Sequence, residues 1–172
     1  MTPKIYLIAA ADLKDGIGIQ GKLPWDLKED LAFFQKQTIK TDNQNLRNMV
    51  MMGQTTWESL PKAHRPLAGR KNVVLTQDKN FTIEGVDVAH SIEEGISKAD
   101  ERVESIYIIG GASIYKQTIG KKWVTGVYLT RIQKEFKCDA FFPKIPTYLK
   151  PEKIKDGEEN GVKYEFLLYK RG

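Results

Sequence analysis

Three short runs in this chain are apolar at nearly every position rather than at every second one: Ile5-Tyr6-Leu7-Ile8-Ala9-Ala10-Ala11, Met49-Val50-Met51-Met52 and Ile106-Tyr107-Ile108-Ile109. At four to seven residues they have the length of strands and are too short for stable helices. Side chains of a strand alternate between its two faces, so apolar residues throughout mean that both faces are covered. The runs end at Asp12, Gly53 and Gly110. Such a chain needs helices on both sides of a sheet. The expected fold is α/β, a single domain over 1–172, with a central, mostly parallel sheet of about eight strands and about four helices on its two faces.

The intervening segments supply those helices. Asp26, with Glu29 three residues on, reads as a capping box opening a helix over 26–38. A second helix is predicted from Thr55, a third from the capping box Ser91-Ile92-Glu93-Glu94 to about Glu101, and a fourth over 113–119. Further strands are expected over 72–76, 86–89, 123–131, 140–142 and 164–169. The last of these follow one another with no helix between, which predicts an antiparallel edge. Residues 12–24, with Gly16, Gly18 and Gly21, read as a long loop and hence a functional candidate. In open α/β sheets ligands sit beyond the carboxyl ends of the strands. The segment after Ala11, Gly53, Thr76 and Gly110-Gly111 should therefore converge on one cleft.

Composition narrows the function classes. No apolar run approaches the roughly 20 residues of a membrane helix, and the first residues lack the pattern of a signal peptide. The single cysteine, Cys138, excludes an intrachain disulfide, and His64 and His90 offer no metal-ligand spacing. These features predict a cytoplasmic protein with no membrane partner and no metal. The formal charge of +5 is scattered along the chain without any nucleic-acid-binding motif, which suits small anionic ligands better than nucleic acid.

Three features carry chemistry. Leu27, Leu31 and Phe34 fall within one arc of the first helix, predicted to pack inward, and Asp30 flanks that arc. Spacing alone leaves two readings open, a partly exposed aspartate or a buried acid that hydrogen-bonds a ligand, since a buried carboxylate is costly without a partner. Gly110-Gly111, between a strand and a helix, is either a tight turn or a place where bare backbone approaches a phosphate; it is not a G-x-G-x-x-G fingerprint. Arg70, at the end of Arg65-Pro66-Leu67-Ala68-Gly69-Arg70, is either a solvated loop charge or a clamp for a carboxylate.

Taken in order, these segments resemble the dihydrofolate reductase family. The resemblance is carried by Leu7-Ile8-Ala9-Ala10, Gly18 through Leu23-Pro24-Trp25, Asp30-Leu31-x-x-Phe34 and Met52-Gly53-x-Thr55-Thr56-Trp57-Glu58-Ser59. It continues through Arg65-Pro66-Leu67-x-Gly69-Arg70-x-Asn72, Ile109-Gly110-Gly111-Ala112-x-Ile114-Tyr115, Tyr128-Leu129-Thr130 and Asp139-x-x-Phe142-Pro143. It implies that Asp30 binds and orients a pterin, that Thr130 supports Asp30, and that Trp25 holds an ordered water. Ile8, Leu31, Phe34 and Leu60 would form apolar walls, and Arg70 would pair with the substrate's glutamate tail. Ala10, Ile17 and Gly18 would face a nicotinamide and Tyr115 its edge, while Thr56 and the Gly110-Gly111 amides would meet the pyrophosphate. Leu23, Gly53, Gln54 and Thr55 complete the implied cofactor side with Leu75, Thr76, Gln77, Ile109, Ala112, Ser113 and Ile114. The resemblance also implies a cis peptide between Gly110 and Gly111, hydride transfer from nicotinamide C4 to pterin C6, and a proton reaching N5 through water. The implied cofactor is NADPH, with NADH used less efficiently; the partners are dihydrofolate and antifolate-type molecules, and the enzyme is a monomer.

Three departures stand out. Residues 40–47 form a polar insertion without an evident role. Cys138 replaces a glycine that the family carries next to Asp139, in a loop that touches the 12–24 loop. Gln54, Thr55 and Ser113 stand where basic residues surround a 2′-phosphate in relatives, leaving Lys71 or Lys79 as alternatives. Two rival readings are a pyrimidine reductase of riboflavin synthesis and a nucleotide-binding module without catalysis. Asp30 with Phe34 and Arg70 favours folate over the first, and retention of residues on both sides of the cleft argues against the second.

Overall fold

The computed structural model describes residues 2–172. Strand β3 (Arg47–Gly53) shows most directly why its sequence is apolar throughout: Met49 and Met51 enter one buried cluster, while Val50 and Met52 enter another on the opposite face of the sheet. The first cluster packs against residues of α3 (Ile92–Ser97) and α4 (Ala112–Thr118), the second against Phe33 and Phe34 of α1 (Lys28–Ile39) and Trp57 of α2 (Gln54–Ser59). Two helices thus cover each face.

Besides β3, the central sheet contains β1 (Lys4–Ala11), β4 (Lys71–Leu75), β5 (Asp87–Ala89), β6 (Val103–Ile108), β7 (Gly126–Ile132), β9 (Leu149–Glu159) and β10 (Val162–Arg171). Its eight strands run in the order β5-β4-β3-β6-β1-β7-β10-β9. All pairings from β5 to β7 are parallel, and β10 joins β7 and β9 antiparallel. The α/β class, the mostly parallel eight-stranded sheet and the antiparallel edge agree with the sequence reading. A small second sheet pairs β2 (Gly16–Gly18) with β8 (Ala140–Phe141), so the 12–24 segment is not wholly loop.

Several local expectations are corrected. Helix α1 starts at Lys28, and Asp26 does not cap it; Glu159, from the far end of β9, accepts from Lys28 N (2.9 Å) and Glu29 N (3.1 Å) instead. A distant carboxylate thus satisfies N–H groups that the helix cannot. Helix α3 ends at Ser97 rather than near Glu101. Its capping box is half formed: Ser91 Oγ accepts from Glu94 N, but the Glu94 carboxylate bonds His90 N rather than Ser91 N. Strand β9, almost entirely polar, had no counterpart in the predicted strands. The 40–47 insertion has a structural role, because Glu104 accepts from the backbone of Asp42 and Asn43, and Asn48 ties Thr38 O to Lys40 O.

Candidate active site

The carboxyl ends of β1, β3, β4 and β6 open onto one cleft of about 980 Å³. Ala9 and Ala10 come from β1, Gly53 from β3, Leu75 and Thr76 from the end of β4, and Ile109, Gly110 and Gly111 from beyond β6. The 12–24 segment closes one side with Ile17, Gly18 and Leu23. Every residue assigned by resemblance to the cofactor side lines this cleft, as do Leu31 and Leu60. Glycines stand where strand ends meet helix starts, and a Cβ there would be tight at Gly111 and close to ordinary contact at Gly53. A Cβ on Gly111 would stand 3.3 Å from Thr56 Oγ1, and one on Gly53 would stand 3.4 Å from Ile114 Cγ1. Gly110 has φ +120° and its peptide to Gly111 is cis. The first turns of α2 and α4, with N–H groups unpaired within their own helices, border the same space.

Asp30 lies in the first turn of α1, is only 8% exposed, and accepts a 2.7 Å hydrogen bond from Thr130 Oγ1 on β7. Burial pushes its carboxyl up to about 6, although the Thr130 hydroxyl works against that shift. Asp30 is therefore buried rather than partly exposed. The expected inward arc of α1 does not hold: Leu27 is buried, Phe34 partly so, but Leu31 is half exposed because it faces the cleft. Ile8 and Phe34 pack into the core cluster on the α1 side of the sheet. Trp25 is buried with its ring edge-on to Phe136 at 5.4 Å, and its Nε1–H has no hydrogen-bond partner among the described residues.

The carboxylate of Asp12, 1% exposed, fastens the 12–24 segment to the loop before β8; sequence reasoning did not single it out. Its Oδ1 accepts from Lys14 N and Gly16 N and its Oδ2 from Phe136 N, all at 2.8 Å, and the Cys138 thiol lies 3.8 Å from Oδ2. Burial works against its charge, but these donors outweigh it and hold the pKa below the ordinary value. Cys138 packs on Gly16, where any Cβ would collide with the sulfur. Asp139 bonds the same segment through its Oδ2 to Gln20 N (3.0 Å) and its N–H to Gly18 O (2.9 Å). The two loops are therefore joined despite the missing glycine.

Arg70 stands outside the cleft lining, half buried, with Nε donating to Ala68 O and Nη1 to Thr38 Oγ1, both at 2.9 Å. Burial lowers its pKa, and no carboxylate of the described residues lies within 4.0 Å of it. At the other end of the cleft Thr76 Oγ1 donates to Gln54 Oε1 (2.6 Å), and the Gln54 amide nitrogen has no partner among the described residues. Lys71 cannot serve this end: it begins β4, far from the strand's carboxyl end, and is bound to Asp87 (3.2 Å) and Asp100 (3.3 Å). Lys79 does not line the cleft. Lining residues missed from sequence include Lys22, Ser59, His90, Ser91 and Gln117. Lys22, Ser59 and Ser91 fall inside segments quoted above without being given a cleft role, while His90 and Gln117 belong to no motif, and only the fold brings them there. Among the described residues no three His, Cys, Asp or Glu side chains group as metal ligands, and no helix is long and apolar enough to cross a membrane.

The sequence model of the dihydrofolate reductase family matches residues 4–171. The dihydrofolate reductase of Heliothis virescens is 40% identical over 180 residues, covering 98% of this chain and 97% of the relative. That of Aedes albopictus is 36% identical over 183 residues, with 98% and 97% covered. Among solved structures, Schistosoma mansoni dihydrofolate reductase superposes with a TM-score of 0.86 at 31% identity over 100% of both chains.

Proposed function

This chain belongs to the dihydrofolate reductase family, and from that premise we propose that it reduces 7,8-dihydrofolate to 5,6,7,8-tetrahydrofolate in this cleft, with NADPH as hydride donor. The observation that carries the reading is Asp30, a buried carboxylate held by Thr130, on the turn of α1 whose next residue, Leu31, lines the cleft. A nicotinamide cofactor fits the residues present. Gly53 and Gly111 leave room that a Cβ would fill, and the unpaired first-turn N–H groups of α2 and α4 suit a pyrophosphate.

In this reading Ala10, Ile17 and Gly18 hold the nicotinamide, and Thr56 with Gly110 and Gly111 holds the pyrophosphate. Asp30, held by Thr130, accepts hydrogen bonds from the pterin's amino group and ring nitrogen and fixes the ring. With its pKa near 6 it is mostly ionised at pH 7, as an acceptor must be. Ile8, Leu31, Phe34 and Leu60 form the apolar walls. Arg70, with donors left over after Ala68 and Thr38, pairs with the glutamate tail. The bound reduced nicotinamide supplies the hydride. No histidine or lysine is assigned beside pterin N5, so its proton comes through water; the unpaired Trp25 Nε1–H is a donor suited to holding that water. The 12–24 segment, tied at Asp12 and Asp139, excludes bulk solvent around the reacting atoms. As part of the same proposal the protein works as a cytoplasmic monomer, its lone cysteine suiting a reducing compartment.

The test is purified protein with dihydrofolate and either NADPH or NADH, following loss of the reduced nicotinamide's near-ultraviolet absorbance. Oxidation that requires dihydrofolate supports the reading. Oxidation only with an aminopyrimidine would favour the pyrimidine reductase, and binding without turnover the non-catalytic module.

A further inference from the structure

Asp30 lies in the one turn of α1 whose N–H groups the helix cannot pair by itself. The ladder of the helix opens with Leu31 N donating to Leu27 O (3.2 Å), so Lys28, Glu29 and Asp30 all precede its first donor. Leu27, at the N-cap, supplies no side-chain bond. The turn is held from outside instead: the two oxygens of the Glu159 carboxylate accept from Lys28 N and Glu29 N. These two residues immediately precede Asp30.

The rest of the antiparallel edge bears on the same turn. Glu29 Oε1 accepts from Tyr164 Oη (3.0 Å), and Glu29 Oε2 lies 3.3 Å from Lys155 Nζ. Gly157 brings β9 so near that a Cβ there would stand 2.5 Å from Glu29 Oε1. Phe33 stacks on Phe166 with ring centroids 4.3 Å apart, and Phe166 is the β10 partner of Thr130, which holds the Asp30 side chain. Asp30 is thus gripped at its side chain from β7 and ahead of its backbone from the end of β9. None of Glu159, Gly157, Lys155 and Tyr164 lines the cleft.

We propose that Glu159 is a positioning residue for the reduction: from outside the cleft, and without touching substrate or cofactor, it fixes where the Asp30 carboxylate stands. This rests on the reductase reading above. A group that orients a ring must itself be held, because a misplacement of about 1 Å caused far from the chemistry can cost on the order of 10²-fold in rate. One bond from Thr130 to one oxygen leaves the Asp30 carboxylate free to pivot. Fixing the two residues ahead of it removes that freedom. The two N–H donors also hold the Glu159 carboxyl below its ordinary value, so at neutral pH it is a charged acceptor, the stronger kind.

The test measures single-turnover hydride transfer at saturating NADPH, the KM for dihydrofolate, the Kd for NADPH and urea unfolding in the native chain, Glu159→Ala, Glu159→Gln and Leu149→Ala. Leu149 is buried at the other end of β9, so truncating it loosens the same strand away from α1. Glu159→Ala should slow hydride transfer about tenfold and raise the KM for dihydrofolate, with NADPH binding unchanged. Glu159→Gln keeps an acceptor oxygen and should recover most of that loss. Leu149→Ala should lose stability and keep the native hydride-transfer rate in the folded protein. In an Asp30→Asn background Glu159→Ala should cost far less, since a group that acts through Asp30 then has no charge left to place. A native rate in Glu159→Ala, an equal slowing in Leu149→Ala, or an undiminished loss in the Asp30→Asn background overturns the proposal and leaves the reductase reading intact. Failure of the native protein to oxidise NADPH with dihydrofolate overturns both.

Discussion

Replacing Asp30 by asparagine should make this protein more stable at alkaline pH and nearly inactive. An unfolded aspartate titrates at 3.8 and Asp30 in the folded chain at about 6, so between those values the folded state binds more protons. Stability from this group is complete below 3.8 and is lost as pH rises through about 6. The gap corresponds to roughly 3 kcal/mol at pH 8, undiminished by solvent because the carboxylate is buried. Asparagine has the same shape and can still accept from Thr130 Oγ1, but carries no charge to desolvate. Urea unfolding of both proteins from pH 4 to pH 8 should show them equal at the acid end. The variant should gain up to roughly 3 kcal/mol at the alkaline end. Turnover at pH 7 should meanwhile fall by roughly 10²-fold or more, because the orienting charge is gone. A stability difference independent of pH, or a variant less stable at pH 8, would refute the reasoning from desolvation. Near-normal turnover in a folded variant would remove Asp30 from the site.

Arg70→Ala should raise the Michaelis constant for dihydrofolate by about 2–5 kcal/mol equivalent and barely change that for the cofactor, as expected when one partner of a shielded ion pair is truncated. An equal loss with a pterin lacking the glutamate tail would count against the clamp. Gln54→Arg should improve NADPH use by roughly 1–3 kcal/mol and leave NADH nearly unchanged, since no described residue pairs with the Gln54 amide nitrogen at that end of the cleft. Equal gains for both cofactors would show that position 54 does not meet the phosphate. Asp12→Asn should lose about 1–3 kcal/mol at neutral pH, because an amide cannot accept from three backbone donors as a carboxylate does. That loss should shrink as pH falls below an aspartate's ordinary 3.8, where the native carboxylate itself takes a proton; a deficit that persists in acid would mean that the charge is irrelevant.

What could be read from the sequence was whatever depended on near neighbours. Met49 to Met52 declared a strand covered on both sides because each residue's face is set by the next. Asp30 beside Phe34 could be placed on a helix flank, but its burial required Thr130, a hundred positions away. Asp26 looked like a cap because the chain gave no sign that Glu159 would reach the same N–H groups. Leu31 looked like core because an apolar residue facing a cleft has the same spacing as one facing a core. Lys71 looked free to reach a phosphate until the parallel register put it at the amino end of its strand beside Asp87 and Asp100. Asp12 carries no local pattern at all. Its role arises where segments far apart in the chain meet.

The outer strand β9 bears on how the molecule behaves in a crowd. A sheet of eight strands has two open rims; one is β5, three residues long, and the other is β9, eleven residues long and mostly exposed. A rim of that length would ordinarily invite another chain to add a strand. Here Lys150, Glu152, Lys153, Lys155 and Asp156 would all have to lose water or find a matching partner before such a seam could form, and Pro151 removes one donor from it. The same residues that hide β9 from a reader of hydrophobic patterns hide it from other copies of the chain. Exchanging Lys153, which does not line the cleft, for valine would uncover part of this rim and favour aggregation.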